Sequence, residues 1–198
     1  MDEGAAPARR PRRVSLPERR AQRAAVDDPQ LVLDAALRFL EARSRSVAEV
    51  RRRLRDAGYR PELVEGAIGR LTTLGMLDDE AFARAWIESR DRARPRGEHA
   101  LRQELRLKGV DPETIGAALD ARRADAGPDG ASVDERAAER ILERHARALA
   151  RVPDPRARRQ RAYALLARSG IDPETAARVS ARSMAEGDAD RAEGREAT

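Results

Sequence analysis

The chain has 198 residues, of which 38% are charged and only 3% are aromatic, and it contains no cysteine. Two Phe, two Tyr and one Trp cannot fill the core of a β-sandwich, because aromatic side chains supply much of the buried area in such folds. β-Branched residues, which favour strands, are scarce, whereas the abundant Ala, Leu, Arg and Glu favour helices. Without cysteine, neither a disulfide nor a thiolate metal site can form. The composition predicts an all-α protein.

Neither a membrane span nor a signal peptide is expected. No apolar run approaches the length of about 20 residues that crosses a bilayer. The residues after Met1 include charges and prolines but no apolar stretch of the kind found in signal sequences. We therefore expect a soluble, cytoplasmic protein, and we expect it to be a monomer.

The two ends of the chain differ in charge. Residues 1–28 contain seven arginines and three prolines, and such a segment buries too little apolar surface to fold by itself. We expect a disordered basic N-terminal arm, which either contacts nucleic acid loosely or only keeps the protein in solution. Residues 185–198 carry five acids against two arginines and are expected to form a disordered acidic tail.

Between these ends, one sequence pattern occurs three times. Residues 50–64 match residues 101–115 at an offset of 51 positions, and residues 162–176 follow as a third copy 61 positions later. The tetrapeptide Asp-Pro-Glu-Thr occurs at 111–114 and again at 172–175. Agreement of this length across three copies indicates structural repeats rather than chance.

Each copy predicts two helices separated by a glycine, because glycine adopts the left-handed conformation that ends a helix without a steric penalty. The three glycines are Gly58, Gly109 and Gly170. Asp111 and Asp172 are the predicted N-caps of the helices that follow, each with a proline in the first turn. In the first copy Arg60 replaces the aspartate, so a weaker cap is expected there.

A further helix precedes each glycine-centred pair. These helices are expected over about residues 31–43, from behind Asp78-Asp79, and over about residues 133–150. The fold is then three tandem three-helix repeats in an elongated, curved arrangement. The expected bounds of the repeats are 29–77, 78–123 and 133–184, with a linker over 124–132. Because one unit of about 45 residues is marginally stable alone, the repeats should stabilise one another where they meet.

No residue pattern typical of catalysis or metal binding is found in the sequence. His99 and His145 are 46 positions apart and lack the further ligands that a zinc site needs. The acidic cluster Asp78-Asp79-Glu80 opens a predicted helix, where carboxylates cap free N–H groups, so we interpret it as a cap rather than a Mg²⁺ site. No phosphate-binding glycine loop or nucleophile motif is present. We expect no enzymatic activity, no cofactor and no metal.

Positive charge is concentrated in three stretches. Residues 90–108 carry seven basic side chains against three acids, residues 144–161 carry seven arginines against one acid, and residues 51–55 contain four arginines. From these stretches the candidate contact residues are Arg51, Arg52, Arg55, Arg90, Arg92, Arg94, Arg96, Arg102, Arg156, Arg158 and Arg159.

Part of the second stretch is predicted to be a loop over residues 90–97, because Pro95 and Gly97 break helices. Arginines presented in this way bind phosphates strongly at low salt. Their planar forks also pair with carboxylates of a protein partner. For each cluster, the alternative that its arginines bind no partner and only contact water stays open.

Several segments of the chain together match a known pattern. They are residues 36–46, 49–54 and 71–83, the pair Arg96-Gly97, and residues 101–109. The string Leu-Asp-Asp-x-x-Phe-Ala, followed by an Arg-Gly loop and Glu-Leu-x-x-Lys-Gly, is specific in combination. On these residues the chain resembles the RecX family of bacterial regulators of the recombinase RecA. The resemblance covers about residues 31–184 and is weakest in the third repeat, where Ala162 and Ala176 replace larger apolar residues.

The resemblance implies three tandem three-helix repeats and a partner, the RecA filament on single-stranded DNA. Proteins of this family lie in the helical groove of that filament and commonly lower its ATPase, strand-exchange and coprotease activities. The chain would then regulate homologous recombination, DNA repair and the SOS response. Its arginines would contact RecA, and direct contact with the bound DNA is also open.

A function of a different class fits the same residues. The chain could be a non-enzymatic helical module that binds DNA or RNA directly, and this hypothesis predicts tight, salt-sensitive binding to naked DNA. The few aromatic residues argue against a platform on which bases of a single strand stack.

Overall fold

The computed structural model describes residues 15–125 and 131–196. Within these ranges it contains ten α-helices and no β-strand, so the predicted all-α class is confirmed. The helices are α1 (Leu16–Ala24), α2 (Pro29–Leu40), α3 (Val47–Ala57), α4 (Pro61–Thr73), α5 (Asp79–Ala93), α6 (Glu98–Leu107), α7 (Pro112–Ala124), α8 (Val133–Ala150), α9 (Pro155–Arg168) and α10 (Pro173–Glu196).

The helices from α2 onward form the three predicted three-helix repeats, α2–α4, α5–α7 and α8–α10. Helix α2, expected over about residues 31–43, spans Pro29–Leu40. It begins earlier than expected because the Asp28 carboxylate caps it, accepting the backbone N–H of Gln30 at 2.8 Å. The helix predicted over 133–150 has those bounds in the structure. Residues 126–130 of the predicted linker lie outside the described residues.

The helix stops and caps within the repeats are as predicted. The carboxylates of Asp111 and Asp172 each accept the backbone N–H of the threonine three residues later, at 2.9 Å. Arg60 makes no side-chain cap, so the expected difference between the copies is confirmed. All three glycine stops have a positive φ, which is +102° at Gly58, +78° at Gly109 and +80° at Gly170.

The first helix, α1, lies where a disordered arm was expected. Its N-terminus is closed by a capping box, in which the Glu18 N–H donates to the Ser15 hydroxyl and the Ser15 N–H donates to the Glu18 carboxylate. The helix also packs against the first glycine stop, since a Cβ on Gly58 would lie 2.9 Å from the carbonyl oxygen of Arg20. Local capping and this contact order a segment whose composition alone predicts disorder. Residues 1–14 of the predicted arm lie outside the described residues.

The last helix, α10, is longer than predicted. It continues to Glu196, whereas a disordered tail was expected from residue 185. The segment contains no proline and consists mainly of Ala, Glu and Arg, which extend a helix readily. Residues 197–198 lie outside the described residues.

The chain divides into two compact units. Of the described residues, unit 1 comprises 15–45 and 49–77, and unit 2 comprises 46–48, 78–125 and 131–196. The core of unit 1 is formed by buried residues of α2, α3 and α4, including Val32, Val50, Leu54, Val64 and Leu71.

Unit 2 has two apolar clusters, one in each of its repeats. In the first, Leu101, Leu105, Ile115 and Leu119 are fully buried beneath Phe82. The second is built around Ile141, Leu142, Leu166 and Val179. The small residues that weaken the third repeat's resemblance, Ala162 and Ala176, are completely buried in this cluster. The described part of the chain has no helix that combines the length and the apolar character needed to cross a membrane.

Within unit 2, the two repeats meet at a pair of glycines. A Cβ on Gly97 would lie 2.1 Å from the carbonyl oxygen of Gly170, and a Cβ on Gly170 would lie 2.4 Å from the Cβ of Ala100 and 2.5 Å from its backbone nitrogen. The N–H of Gly97 also donates to the carbonyl of Ser169 at 3.0 Å. These distances leave no room for a side chain. The start of α6 and the end of α9 are therefore in backbone contact, and this contact positions the loop that precedes α6.

Candidate functional site

The loop between α5 and α6 is shorter than predicted. Arg90 and Arg92 lie in the last turn of α5, and the loop spans residues 94–97. Basic side chains are favourable in the last turn of a helix, and a proline disfavours the helical conformation of the residue before it rather than of earlier ones. Pro95 therefore affects only the residue before it, Arg94, and α5 continues to Ala93. The loop predicted over 90–97 is wrong for residues 90–93.

A buried arginine holds this loop in place. Arg122 of α7 is 8% exposed, and its guanidinium donates two hydrogen bonds of 2.9 Å to the Asp91 carboxylate and one of 2.7 Å to Asp134. It also donates to the main-chain carbonyl of Arg96 at 3.2 Å. Asp134 in turn accepts the N–H of Glu98 at 3.0 Å. We call this arrangement the Arg122 clamp. Because a guanidinium fork has fixed geometry, the clamp gives the loop a rigid support.

The clamp residue was missed in the sequence, although a signal for it was present. Burial disfavours the charged form of Arg122, but its hydrogen bonds to Asp91 and Asp134 outweigh burial and raise its pKa. Arg122 falls on the same face of α7 as the buried Ile115 and Leu119, at spacings of seven and three residues. A charged residue on an apolar stripe is rarely buried unless it is paired, and this position could have been recognised on that basis.

Arg90 and Arg96 share one carboxylate. The Nε of Arg90 lies 2.6 Å from Glu104 Oε2, and the Nε of Arg96 lies 3.6 Å from Glu104 Oε1. The Trp86 indole N–H donates to the same carboxylate at 2.8 Å. The charged groups of Arg90 and Lys108 lie 4.2 Å and 4.0 Å from the centroid of the Trp86 ring, at cation–π distance. Both arginines are therefore engaged within unit 2.

Two other arginines of this stretch are differently placed. Arg92 and Arg94 are exposed, and within the described residues no carboxylate pairs with either side chain. Arg102, by contrast, pairs with Glu98 at 2.7 Å. Burial would raise the pKa of Glu98, but hydrogen bonds from Arg123 and Arg102 outweigh burial and lower it. Of the candidates in this stretch, Arg92 and Arg94 are thus the ones available to an external anion.

The arginines of α3 in unit 1 divide in the same way. Arg51 and Arg55 both pair with Glu65 of α4, at 2.9 Å and 2.8 Å. The hydrogen bond from Arg51, helped by Arg55, lowers the pKa of Glu65. Arg52 is exposed, and in the part of unit 1 that the structure describes it has no carboxylate partner.

In the third stretch, one predicted contact residue is buried. Arg158 is 5% exposed, and its guanidinium donates to the carbonyl of Val152 at 2.9 Å. Its position on α9 faces the third repeat's interior rather than solvent, and this burial argues against the contact role predicted for it. Arg156 and Arg159 on the same helix are exposed, and neither side chain has an ion-pair partner among the described residues.

The eleven candidate arginines thus fall into two groups, those already paired or buried within their own unit and those exposed without a carboxylate partner. Guanidinium groups donate hydrogen bonds and do not release protons near neutral pH, so such residues bind anions and do no acid–base chemistry. Over residues 15–125 and 131–185, no group of three or more His, Asp or Glu side chains is arranged to hold a metal ion. Of the eleven candidates, five are exposed and have no carboxylate partner among the described residues: Arg52, Arg92, Arg94, Arg156 and Arg159.

Two regions of the chain match domains of one protein family. Residues 33–71 match the first three-helix domain of RecX, and residues 78–119 match its second three-helix domain. Regulatory protein RecX of Mycobacterium leprae is 36% identical over 149 residues, which cover 75% of this chain and 83% of the relative. Regulatory protein RecX of Mycolicibacterium vanbaalenii is 38% identical over 120 residues, which cover 61% of this chain but only 62% of that relative's length.

Crystal structures of RecX proteins are similar to this chain in fold. The crystal structure of RecX from Lactobacillus salivarius superimposes with a TM-score of 0.61 at 19% identity, covering 77% of this chain and 94% of that one. A second crystal structure, of regulatory protein RecX, superimposes with a TM-score of 0.62 at 22% identity, covering 74% of this chain and 68% of that one. At such low identity the similarity lies in the helical architecture.

Proposed function

Because the chain belongs to the RecX family, we propose that it binds the RecA filament on single-stranded DNA and lowers the filament's ATPase, strand-exchange and coprotease activities. In the cell it would restrain homologous recombination and limit the DNA-repair and SOS responses that depend on the filament. The name shared by its relatives, regulatory protein RecX, supports a regulatory role.

The observation that carries this proposal is the contrast between Arg92 and Arg94 and their neighbours. Arg90, Arg96 and Arg102 are paired with carboxylates of unit 2, whereas Arg92 and Arg94 are exposed beside a loop that the Arg122 clamp supports. Cations held on a rigid support lose little entropy when they bind an anion. They can form charge-assisted hydrogen bonds with carboxylates of RecA or with phosphates of its DNA.

The proposed mechanism is binding rather than catalysis. A filament hydrolyses ATP and exchanges strands while its subunits and its DNA change their contacts. A protein that binds only one arrangement of those contacts shifts the population toward that arrangement and slows the cycle. Such a regulator needs surface cations in a fixed geometry and needs no reactive group.

The alternative is a helical module that binds nucleic acid directly, without RecA. The exposed arginines support it as well, because they attract phosphates of any strand. The two functions predict different results when inhibition of RecA is compared with binding to naked DNA. Only the filament regulator inhibits RecA at concentrations at which it does not occupy the naked DNA.

Charge reversal at the loop tests the proposal. The variant carries R92E and R94E, and its matched control carries R70E and R168E, which change the same number of charges at exposed positions outside the eleven candidates. Since hydrogen bonds to charged groups contribute about 1.5–3 kcal/mol each, the loop variant should need at least about tenfold more protein for half-inhibition of the RecA ATPase. The control should inhibit like the wild type, and both should keep wild-type helicity by circular dichroism. Unchanged inhibition by the loop variant would contradict the assignment of Arg92 and Arg94.

A further inference from the structure

Unit 1 contains a basic groove whose lining includes none of the eleven arginines predicted from the sequence. It is formed by α1, α2, α3 and the glycine stop after α3, and it has a volume of about 560 Å³. Its lining has four positive charges against one negative charge. The charged residues are Arg20, Arg23, Arg38, Arg53 and Asp56. Most pockets that bind neutral small molecules are lined by apolar side chains, so this lining points to an anionic ligand.

Two aromatic rings in the groove orient its arginines. The guanidinium carbon of Arg23 lies 5.8 Å from the centroid of the Tyr59 ring, and those of Arg45 and Arg53 lie 4.2 Å and 5.6 Å from that of Phe39. A guanidinium on a ring face is held by cation–π attraction. Arg23 also donates to the carbonyl of Ala57 at 3.4 Å, whereas the N–H edge of Arg53 can bind a phosphate in the forked geometry that arginine favours.

The positive charge around Phe39 is only partly compensated. Burial, together with the positive charges of Arg43 and Arg53, lowers the pKa of Arg45, although Glu49 opposes the shift. Arg43 is itself paired with Glu49 at 2.9 Å. Arg20 and Arg38 are exposed, and no carboxylate of the described residues pairs with either. An anion in the groove would therefore gain from an excess of positive charge that unit 1 does not neutralise.

We propose that this groove binds the phosphodiester backbone of single-stranded nucleic acid, with Arg20, Arg38 and Arg53 as the phosphate-contacting residues. Because the groove has a volume of only about 560 Å³, the proposed occupant is one strand rather than a duplex. Bases can stack on guanidinium planes as well as on aromatic rings. A strand also offers several regularly spaced phosphates to the three arginines, whereas a ligand with one carboxylate can pair with only one or two of them. With only two rings, each already covered by an arginine, binding depends on salt and not on sequence.

The proposal also gives α1 a role. Arg20 and Arg23 enter the groove from this helix, which belongs to the basic segment for which the composition left nucleic-acid contact and simple solubility as alternatives. The inference goes beyond action on RecA, because the groove binds a strand without any partner protein. It can therefore be tested, and can fail, independently of the filament proposal.

The experiment measures binding of the full chain to a fluorescein-labelled oligo(dT) by fluorescence anisotropy over a range of salt concentrations, without RecA. The groove variant carries R20E and R38E, and the control carries R70E and R168E. The groove variant should bind at least about tenfold more weakly. The slope of log K against log salt should fall by about 1.4, since each lost phosphate contact on a single strand contributes about 0.7. The single variant R38E, which leaves α1 unchanged, should shift both quantities in the same direction by a smaller amount.

Three results would overturn the proposal. They are absence of oligo(dT) binding by the wild type, wild-type affinity and salt slope in the groove variant, and equal weakening in the control. A groove variant that keeps oligo(dT) binding but no longer inhibits the RecA ATPase would show instead that the groove contacts an acidic protein surface. Loss of oligo(dT) binding with normal inhibition of RecA would support the groove as a separate nucleic-acid site.

Discussion

The guanidinium of Arg122 in α7 and the carboxylate of Asp91 in α5 form a bidentate ion pair with two hydrogen bonds of 2.9 Å. The pair is completed by Asp134 of α8 at 2.7 Å, so that one buried cation connects helices of two repeats within unit 2. The same guanidinium reaches the backbone of the loop before α6. The site that we propose for an external anion is therefore built on an internal ion pair.

Replacement of Arg122 should strongly destabilise the protein. In R122M two carboxylates, Asp91 and Asp134, lose their partner in a largely buried position, and breaking a buried pair in this way costs about 3–5 kcal/mol. Urea denaturation followed by circular dichroism measures this loss. The control is R123A on the same helix, whose side chain is 55% exposed in its pair with Glu98. Its cost should stay below about 1 kcal/mol. Similar costs for the two variants would contradict the structural role of the clamp.

The glycine pair between α6 and α9 gives a second test of stability. In G97A the new Cβ would lie 2.1 Å from the carbonyl oxygen of Gly170, and neither backbone can move without separating the two repeats. We expect a loss of at least about 3 kcal/mol, in the range of severe core mutations. G116A in the interior of α7 is the control, because nothing lies within 4 Å of the new Cβ there, and alanine should stabilise the helix by about 0.5–1 kcal/mol. The midpoints of thermal unfolding should move in opposite directions.

Acid should destabilise the protein through carboxylates that are paired or capping. The pKa values of Glu65, Glu98 and Glu135 are lowered in the folded state, with arginine pairs or a backbone N–H as causes that outweigh burial. Since the folded pKa lies below the unfolded one, the stabilisation is complete above the unfolded value of about 4.3 and is lost as the pH falls through the folded values. Urea midpoints should be constant from about pH 7 to pH 5 and fall below about pH 4. A midpoint that rises on acidification would contradict these pairings.

Much of the fold could be predicted because its signals are local. The glycine stops, the aspartate caps and the apolar spacing of each helix act over a few residues, and the helix over 133–150 was predicted with its observed bounds. α1 was missed although Ser15 and Glu18 form a local capping box, because its order also depends on a distant contact, between Arg20 and Gly58. The composition of its segment carries no information about that contact.

The candidate site was less accessible to sequence reasoning, because charge alone does not say which arginines are already paired. Arg51 and Arg92 are both basic residues in basic stretches, yet Arg51 is paired with a carboxylate of α4 and Arg92 has no carboxylate partner among the described residues. The burial of Arg158 is a further result of tertiary packing, since the adjacent Arg159 on the same helix is exposed. Three-dimensional pairing, rather than the number of charges, decides which side chains can contact a partner.

The measurement that tests the central claim most directly is DNA-dependent ATP hydrolysis by the cognate RecA, with this protein titrated from far below stoichiometric amounts. Binding to the same DNA without RecA is measured in parallel. The filament proposal predicts strong inhibition at concentrations that leave naked DNA unbound, with R92E/R94E shifted to higher concentrations and R70E/R168E unchanged. Full ATPase activity at saturating protein, together with tight and salt-sensitive binding to naked DNA, would contradict it and would favour a nucleic-acid-binding module instead.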